Sequence, residues 1–155
     1  MADDAVQMLL DIEAIKQLKA RYCMCVAKKD WDTFFTLFDE DLEFVQPDGS
    51  VQTPRSTFYT FHKQHLQDSN VWGTVPCSTP IIEITGPDSA TGIWAMEDLH
   101  IYPGEGPRVG HHGFGHYTEQ YVRNPDGWKF KRIQVDYHHF VPLEGGFGGG
   151  ARDLA

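Results

Sequence analysis

The sequence has no long hydrophobic run and no excess of positive charge. None of its apolar segments approaches the ~20 residues that a membrane-spanning helix needs, and its acidic N-terminus lacks the apolar segment of a secretory signal. Lys and Arg number 13 against 22 Asp and Glu, which gives a formal net charge of −9. We therefore expect neither a nucleic acid nor a membrane surface as a partner.

Cysteine is also scarce, since the 155 residues contain only Cys23, Cys25 and Cys77. Cys23 and Cys25 are two positions apart on a predicted helix, where such side chains do not face each other. Three cysteines do not form a disulfide framework, so we expect each thiol to pack against apolar neighbours. A reduced compartment, the cytoplasm, is the expected location.

The composition is that of a packed globular protein, with 41% hydrophobic and 13% aromatic residues. A chain of this length can bury a sizeable core as one domain. We expect that domain to cover residues 1–143. Residues 144–155 are expected to be a flexible tail, because five of the six residues at 145–150 are glycine.

The first 70 residues carry the signals of three helices. Apolar residues recur at steps of three and four over Met8–Val26, which predicts one buried face of a long helix. Asp30 or Asp32 is suited to be the N-cap of a second helix, whose aromatic side is rich in Trp and Phe. Thr53 as N-cap and Pro54 at the first helical position predict a third helix.

The remaining chain is typical of antiparallel strands. Segments rich in aromatic and β-branched residues are separated by the turn sequences GPDS, PGEGPR and NPDG. Helices followed by a meander of strands indicate an α+β domain, with the helices packed on one face of the sheet.

Four of the eight histidines lie within residues 94–121, which raises the question of a metal site. His112 and His116 are four apart, but the glycines around them favour a strand, where they would be ~13 Å apart. That separation is too long for two ligands of one ion. A metal site would need His100 to meet another histidine across the hairpin, and we predict no metal and no cofactor. A cupin-type metal barrel is disfavoured because the chain begins with helices.

Acid–base groups in a ligand pocket are the second interpretation of this segment. Strand alternation places one set of residues on a common face of the first strand, namely Trp94, Met96, Asp98 and His100. On the next strand it groups His112, Phe114, His116, Thr118 and Gln120. If both faces line the concave side of the sheet, they form an apolar wall with a few proton-transfer groups.

The third interpretation is that these polar side chains simply face solvent. An Asp–His pair on an exposed strand contributes little to stability. Under the pocket interpretation His111 is expected on the exterior, because it alternates with His112. The histidines outside the segment are expected at the surface or at the pocket rim, namely His62, His65, His138 and His139.

Three segments resemble the nuclear transport factor 2-like superfamily, and more narrowly its SnoaL-like branch of polyketide cyclases and scytalone dehydratase. They are IKQLKARYCMCVAKKDWDTFFTLFDEDLEFVQPDG, TPIIEITGPDSATG and GHYTEQYVRNPDGWKFKRIQVD. The resemblance covers about residues 8–140. It implies a curved sheet wrapped around three helices as a cone-shaped barrel with an internal pocket. It also implies a homodimer or another homo-oligomer.

The resemblance implies site residues as well. His100 falls where the scytalone dehydratases have a pocket histidine, and Tyr22 falls at an aromatic pocket position. His116 and Thr118 fall at two polar pocket positions. The acid–base Asp and His of that family are replaced here by Ala27 and Val75, and a polar pocket tyrosine is replaced by Gln46.

The combined hypothesis is a cofactor-independent enzyme that cyclises, isomerises or dehydrates a mostly apolar, oxygenated small metabolite. His100 would be the general acid or base, with Asp98 as its partner and His116 as the second proton-transfer group. The predicted substrate contacts are Tyr22, Trp94, Met96, Phe114, Thr118, Gln46 and Val75. The alternatives are a non-catalytic binding or protein-interaction module of the same fold and a metal-dependent barrel.

Overall fold

The computed structural model describes residues 2–67, 71–102 and 109–143. Its helices are α1 (Ala2–Lys28), α2 (Trp31–Thr36) and α3 (Arg55–Leu66). Its strands are β1 (Phe38–Val45), β2 (Val51–Gln52), β3 (Trp72–Thr74), β4 (Cys77–Gly86), β5 (Ser89–Tyr102), β6 (Val109–Asn124) and β7 (Gly127–Leu143). The predicted flexible tail lies outside the described residues and stays a prediction.

Helix α1 buries the apolar face that the sequence predicts. Ile15, Leu18, Tyr22 and Val26 are buried along it, whereas Met8 is half exposed near its start. The helix is therefore longer than its buried face. Among the described residues, no helix is both long and apolar enough to cross a membrane.

The two shorter helices differ in how they begin. Asp30 caps α2 as predicted, and its side chain accepts a hydrogen bond from the Thr33 amide at 3.2 Å. Helix α3 begins at Arg55, and Pro54 is its N-cap with ψ of −171°. The predicted Thr53 cap is therefore wrong by one position, because the backbone is still extended at Pro54.

The seven strands form one sheet in the order β2-β1-β7-β6-β5-β3, and β4 also pairs with β5. Every pairing is antiparallel except that of β1 with β7. This arrangement of three helices on a curved, mostly antiparallel sheet confirms the predicted α+β class. The described strands do not close into the barrel that the resemblance implies, since β2 and β3 end the strand order.

Aromatic rings from helices α2 and α3 and from strand β1 pack together in the core. Phe34 of α2 lies 4.8 Å from Phe38 of β1, and Phe38 lies 4.9 Å from Phe58 of α3, measured between ring centroids. Both pairs are edge-to-face, which stabilises the fold by ~0.5–1.5 kcal/mol per pair beyond area burial. The three cysteines are free and at least half buried, as expected: Cys23, Cys25 and Cys77.

A buried ion pair crosses the core between α1 and β6. Lys19 Nζ contacts Glu119 Oε1, and neither side chain is accessible to solvent beyond 1%. Tyr121 donates its hydroxyl hydrogen to Glu119 Oε2, and Trp94 Nε1 donates to the Tyr121 hydroxyl at 2.8 Å. Lys19 Nζ also lies 3.8 Å from the centroid of the Tyr117 ring. The charges are thus compensated on several sides, which a buried pair requires.

Candidate active site

The register of β5 against β6 decides which side chains meet on the inner face of the sheet. His100 pairs directly with His111, and Asp98 pairs directly with Gly113. Directly opposed residues on antiparallel strands point to the same face. Even-numbered residues of β5 and odd-numbered residues of β6 therefore share the face that packs against the helices.

A cavity of about 260 Å³ lies between this face and the helices. Four of its polar groups lie close together: Asp98, His100, His111 and the Tyr137 hydroxyl. Much of the remaining lining is apolar or aromatic, with contributions from α1, β1, α3 and β7: Tyr22, Val26, Phe44, Phe61, Leu66, Val75, Tyr117 and Val135. A few convergent polar groups in an apolar cavity are typical of a small-molecule site.

Asp98 is the centre of the polar cluster. Tyr137 donates a hydrogen bond to its Oδ2 at 2.5 Å, and His111 Nε2 lies 3.3 Å from its Oδ1. His100 Nδ1 lies 3.9 Å from Asp98 Oδ2, and both side chains are 8% exposed. Asp98 Oδ1 and His100 Nδ1 are buried without a well-directed hydrogen bond from any described residue. Two polar atoms of this kind mark the point where a ligand can bind.

The surroundings lower the pKa of both Asp98 and His100. Burial raises the pKa of Asp98, but His111, Tyr137 and the imidazole charges outweigh burial, and the pKa lies below its usual value. Burial lowers the pKa of His100, and the Asp98 carboxylate only partly opposes this. The pair is therefore a carboxylate beside a neutral imidazole, which can accept a proton.

Two glycines leave room for the side chains of this cluster. A Cβ atom at Gly113 would lie 2.5 Å from Asp98 Oδ1 and 2.4 Å from Tyr137 Cε1. A Cβ atom at Gly73 would lie 2.3 Å from the His100 ring. Any side chain at either position would displace the groups of the cluster. The positions of the carboxylate and the imidazole thus depend on the absence of side chains across from them.

Several predicted site residues line the cavity. Asp98 and His100 do so, as do Tyr22, Gln46 and Val75. Their roles in binding or catalysis remain predictions. Trp94 and Met96 are buried on the same inner face but do not line this cavity, because it lies toward the other end of β5.

The predicted inner face of β6 is wrong by one residue. Phe114, His116 and Thr118 lie on the outer face of the sheet, because Ala95 and not Met96 opposes His116. His116 is half exposed there, and its Nδ1 shares a hydrogen bond with His138 Nε2 at 2.9 Å. His111, which was expected on the exterior, takes the predicted place beside His100.

The end of α1 contributes Val26 to the cavity wall. Ala27 was assigned to the position of the family's catalytic Asp, but Ala27 is exposed and Val26 lines the cavity. Neither side chain can transfer a proton. Helix α1 therefore contributes no carboxylate to the cavity lining.

Sequence reasoning missed His111, Tyr137 and His62 as cavity residues. A signal for His111 is present in its own strand, because the bulky aromatic residues Tyr117 and Tyr121 share its parity. Thr118 and Gln120 take the other face. Bulky aromatic residues favour the buried face of a half-exposed strand, and this parity would have placed His111 inward.

His62 lies on α3 between aromatic rings and is half buried. Its Nδ1 donates a hydrogen bond to the Phe58 carbonyl at 3.0 Å, and its ring centroid lies 4.1 Å from that of Phe58 and 5.3 Å from that of Phe44. Burial lowers the pKa of His62 from 6.5 to about 4. The expected rim position is thus only partly right, because the ring lines the cavity.

His62 should make the protein less stable as the pH falls. The unfolded chain binds the proton near pH 6.5 and the folded chain only near pH 4. The free energy of unfolding should therefore be fully retained above pH 6.5 and should fall by on the order of 2 kcal/mol toward pH 4. Urea unfolding at several pH values measures this slope.

The His62→Gln variant should have a shallower slope over this pH range. His65→Gln is the matched control, because His65 makes the same type of bond to the Phe61 carbonyl but is exposed. An equal slope in His62→Gln and the parent protein would contradict the assignment.

The cluster also contains a set of metal-ligating atoms. Asp98, His100 and His111 each offer one such atom, and these atoms lie within 4.8 Å of one another. The one arrangement that the sequence left open for a metal, a meeting of His100 with another histidine across the hairpin, is thus present in the fold.

Comparisons with known proteins match nearly the whole chain. The sequence profile of the SnoaL-like domain matches residues 7–134. A structure of a type 2 hexachlorocyclohexane dehydrochlorinase (LinA) superposes with a TM-score of 0.81 at 18% identity, covering 95% of this chain and 99% of that chain. A Novosphingobium aromaticivorans protein provisionally described as a scytalone dehydratase superposes with a TM-score of 0.79 at 19% identity. The match covers 97% of this chain and 99% of that chain.

A third similar structure is a nuclear transport factor 2-like protein with a cystatin-like fold, also from Novosphingobium aromaticivorans. Its TM-score is 0.69 at 18% identity, and the match covers 88% of each chain. At these identities the structural likeness concerns the fold. The polar cluster has to be interpreted from its own geometry.

Proposed function

The chain belongs to the SnoaL-like domain family, and on this basis we propose that it is a cofactor-independent lyase or isomerase acting on a small molecule. The observation that carries the proposal is the meeting of Asp98, His100, His111 and Tyr137 in one largely apolar cavity. A reaction that needs only proton transfer uses groups of this kind. The dehydratase and dehydrochlorinase names of similar structures support the same class of chemistry.

His100 is the proposed base. With its other ring nitrogen protonated, Nδ1 offers a lone pair, and none of the described residues donates a hydrogen bond to it. It removes a proton from a substrate carbon, and the resulting imidazolium is stabilised by the Asp98 carboxylate at 3.9 Å. The hydrogen bond from Tyr137 holds that carboxylate in place.

In an elimination, the electron pair of the broken C–H bond forms a C=C bond as the C–O bond breaks. The departing hydroxyl group takes up a proton from the imidazolium of His100 or from protonated His111 and leaves as water. In an isomerisation, the imidazolium returns its proton to a different substrate atom. Both sequences balance without a metal, an oxidant or a cofactor, and His111 replaces His116 as the second proton-transfer group.

The size and lining of the cavity support a proposal for the class of substrate. Its volume of about 260 Å³ lies just below the usual range for ligand pockets, ~300–1,000 Å³, which favours a small ligand. Aromatic and aliphatic walls favour a mostly apolar molecule of one or two rings, and the polar cluster favours an oxygen substituent. A polyketide- or terpenoid-like metabolite has this chemistry.

A non-catalytic binding module of the same fold is the second candidate. It is favoured by Val75 and Ala27, which the resemblance assigns to the positions where the scytalone dehydratases have an acid–base pair. Such a module would bind apolar ligands in the same cavity, and they would raise its melting temperature without being converted.

Deuterium exchange into 1-tetralone and related aryl ketones in D₂O, followed by NMR, tests the proposed function. These ketones have an acidic C–H bond beside a carbonyl group and a size suited to the cavity. Exchange above the buffer rate, retained in His112→Ala on the outer face, supports a catalytic base. Thermal stabilisation by the same ketones without exchange would favour the binding module.

We also propose that the protein self-associates through the outer face of the sheet. Ile81, Ile93 and Phe114 lie on that face and are 72%, 46% and 39% exposed. A second copy of the chain would cover this apolar surface. Sedimentation velocity should give a homo-oligomer that Phe114→Glu weakens, and a monomer at 100 μM protein would contradict the proposal.

A further inference from the structure

The polar cluster has the composition of a metal site as well as that of an acid–base site. Two imidazoles and one carboxylate come from two adjacent strands, which hold them more rigidly than a loop would. Three protein ligands with an open position facing a cavity are typical of reactive Zn²⁺ sites. Two histidines and one carboxylate are also the ligand set of many divalent transition-metal sites.

The distances are close to those that a metal ion needs. Ligand atoms around four-coordinate Zn²⁺ are ~3.3 Å apart when each bond is 2.0–2.1 Å long. His111 Nε2 already lies 3.3 Å from Asp98 Oδ1, and His100 Nδ1 lies 3.9 Å from Asp98 Oδ2. The whole set spans no more than 4.8 Å. Small side-chain rotations would therefore complete three metal bonds.

Two of the metal-ligating atoms are buried without a well-directed hydrogen bond from any described residue. His100 Nδ1 has no hydrogen-bond partner, and Asp98 Oδ1 has only the His111 nitrogen at 3.3 Å in a poor direction, although the Asp98 and His100 side chains are both 92% buried. A buried polar atom without a partner is costly, and a shared cation would satisfy both atoms at once. This second observation is independent of the residue types in the cluster.

The neighbours of the cluster are those that a metal site needs. Tyr137 bonds the Asp98 oxygen that is farther from His111, so it orients the carboxylate as outer-shell partners of metal ligands do. The cavity in front of the three donors leaves room for a further ligand such as water or substrate. Gly113 and Gly73 keep side chains away from the donors.

We propose that Asp98, His100 and His111 bind one divalent transition-metal ion of the Zn²⁺ type, and that binding stops the proton transfer. The ion occupies the lone pair that His100 would use as a base, so the metal-bound form cannot accept a proton there. The inhibitory effect rests on the proposed function, whereas the binding does not. Mg²⁺ and Ca²⁺ prefer oxygen ligands and are not expected to bind.

Titration calorimetry of the full chain, stripped of metal by chelation, tests the binding with Zn²⁺ as the probe. One ion per chain should bind with a Kd of ~1 μM or below. Asp98→Asn and His111→Ala should each weaken binding ~100-fold or more, and Tyr137→Phe should weaken it ~10-fold through the carboxylate. Asp98→Asn preserves the shape of the side chain, and circular dichroism checks that each variant is folded.

Histidines on the outer face provide the matched control. His116 and His138 lie 2.9 Å apart between ring nitrogens, and Asp136 lies 3.6 Å from His116. His138→Ala should leave the affinity for Zn²⁺ unchanged within twofold. Loss of binding in His138→Ala, with no effect of Asp98→Asn or His111→Ala, would overturn the proposal in favour of an exposed site. Absence of binding in the parent protein would also overturn it.

The ketone exchange assay separates this inference from the proposed function. Saturating Zn²⁺ should lower the exchange rate of the metal-free protein at least ~10-fold. Exchange that is unchanged or faster with Zn²⁺ bound would overturn the inhibitory effect. If the metal-free protein is active but Zn²⁺ does not bind, the metal site fails and the function stands. If Zn²⁺ binds but the metal-free protein never exchanges any ketone, the function fails and the site stands.

Discussion

Replacing His100 by alanine should lower the rate of deuterium exchange by ~100-fold or more. The substitution removes the only imidazole nitrogen of the described residues that is buried without a hydrogen-bond partner, and its residue lines the cavity. Asp98 would remain, but its pKa is already below the usual value, which makes the carboxylate a weak base. The rate under saturating ketone, measured by NMR, gives the size of the effect.

The matched control is His112→Ala, one residue from His111 but on the outer face, where it contacts Glu97 at 2.6 Å. It should exchange ketones at the parent rate. A His100→Ala variant that is folded by circular dichroism and active within a few-fold of the parent would remove His100 from the mechanism. Asp98→Asn provides a second test if His100→Ala does not fold, and should slow exchange ~10-fold or more because the imidazolium loses its counter-ion.

Replacing Lys19 by methionine should destabilise the protein by about 3–5 kcal/mol. Methionine retains most of the volume and apolar stem of lysine but leaves the Glu119 carboxylate buried without its cation. Glu119 is 0% exposed and shares its other oxygen with Tyr121, so it has little access to water. Urea unfolding monitored by tryptophan fluorescence measures the loss.

The double variant Lys19→Met with Glu119→Gln should recover part of that loss, because no uncompensated charge remains. Arg132→Met is the control at an ion pair of ordinary exposure, since Arg132 pairs with Glu43 at 3.3 Å near the surface. Arg132→Met should lower the free energy of unfolding by less than ~1 kcal/mol. A loss below ~1 kcal/mol for Lys19→Met as well would contradict the importance of the buried pair.

The helices and the sheet class could be predicted because they depend on local patterns. The three- and four-residue spacing of apolar residues over Met8–Val26 predicted α1. Asp30 was one of the two candidate N-caps of α2, and it caps that helix. The α3 start was missed by one residue, because Pro54 is compatible with both the cap and the first helical position.

Only part of the site could be predicted from the sequence. Strand alternation shows which residues share a face of the sheet, but it does not show which face is buried. Asp98 and His100 were assigned correctly to one face of β5, since the two residues share parity. The face of β6 was assigned from its histidines, although the parity of Tyr117 and Tyr121 indicated the opposite face. The direct pairing of His100 with His111 is seen only in the sheet. Register of this kind is a property of the folded sheet.

The buried ion pair could not be recognised from local pattern. Lysine and glutamate are among the residues least often buried. Residue type therefore predicts that Lys19 is exposed beside the apolar face of α1. Glu119 stands between Tyr117 and Tyr121 on a strand, which is the one hint that its side chain points inward. Only the tertiary contact of α1 with β6 explains why both charges are tolerated.

Gly113 has a consequence for folding fidelity. The adjacent His111 and His112 mean that a misregistered hairpin, shifted by one residue, would still present an imidazole opposite His100. The same shift would bring Phe114 across from Asp98, where even a single added carbon atom meets the carboxylate and the Tyr137 ring. The misregistered hairpin is therefore sterically penalised at the site itself. The close packing of Asp98 and Tyr137 against Gly113 thus also favours the correct pairing of β5 with β6.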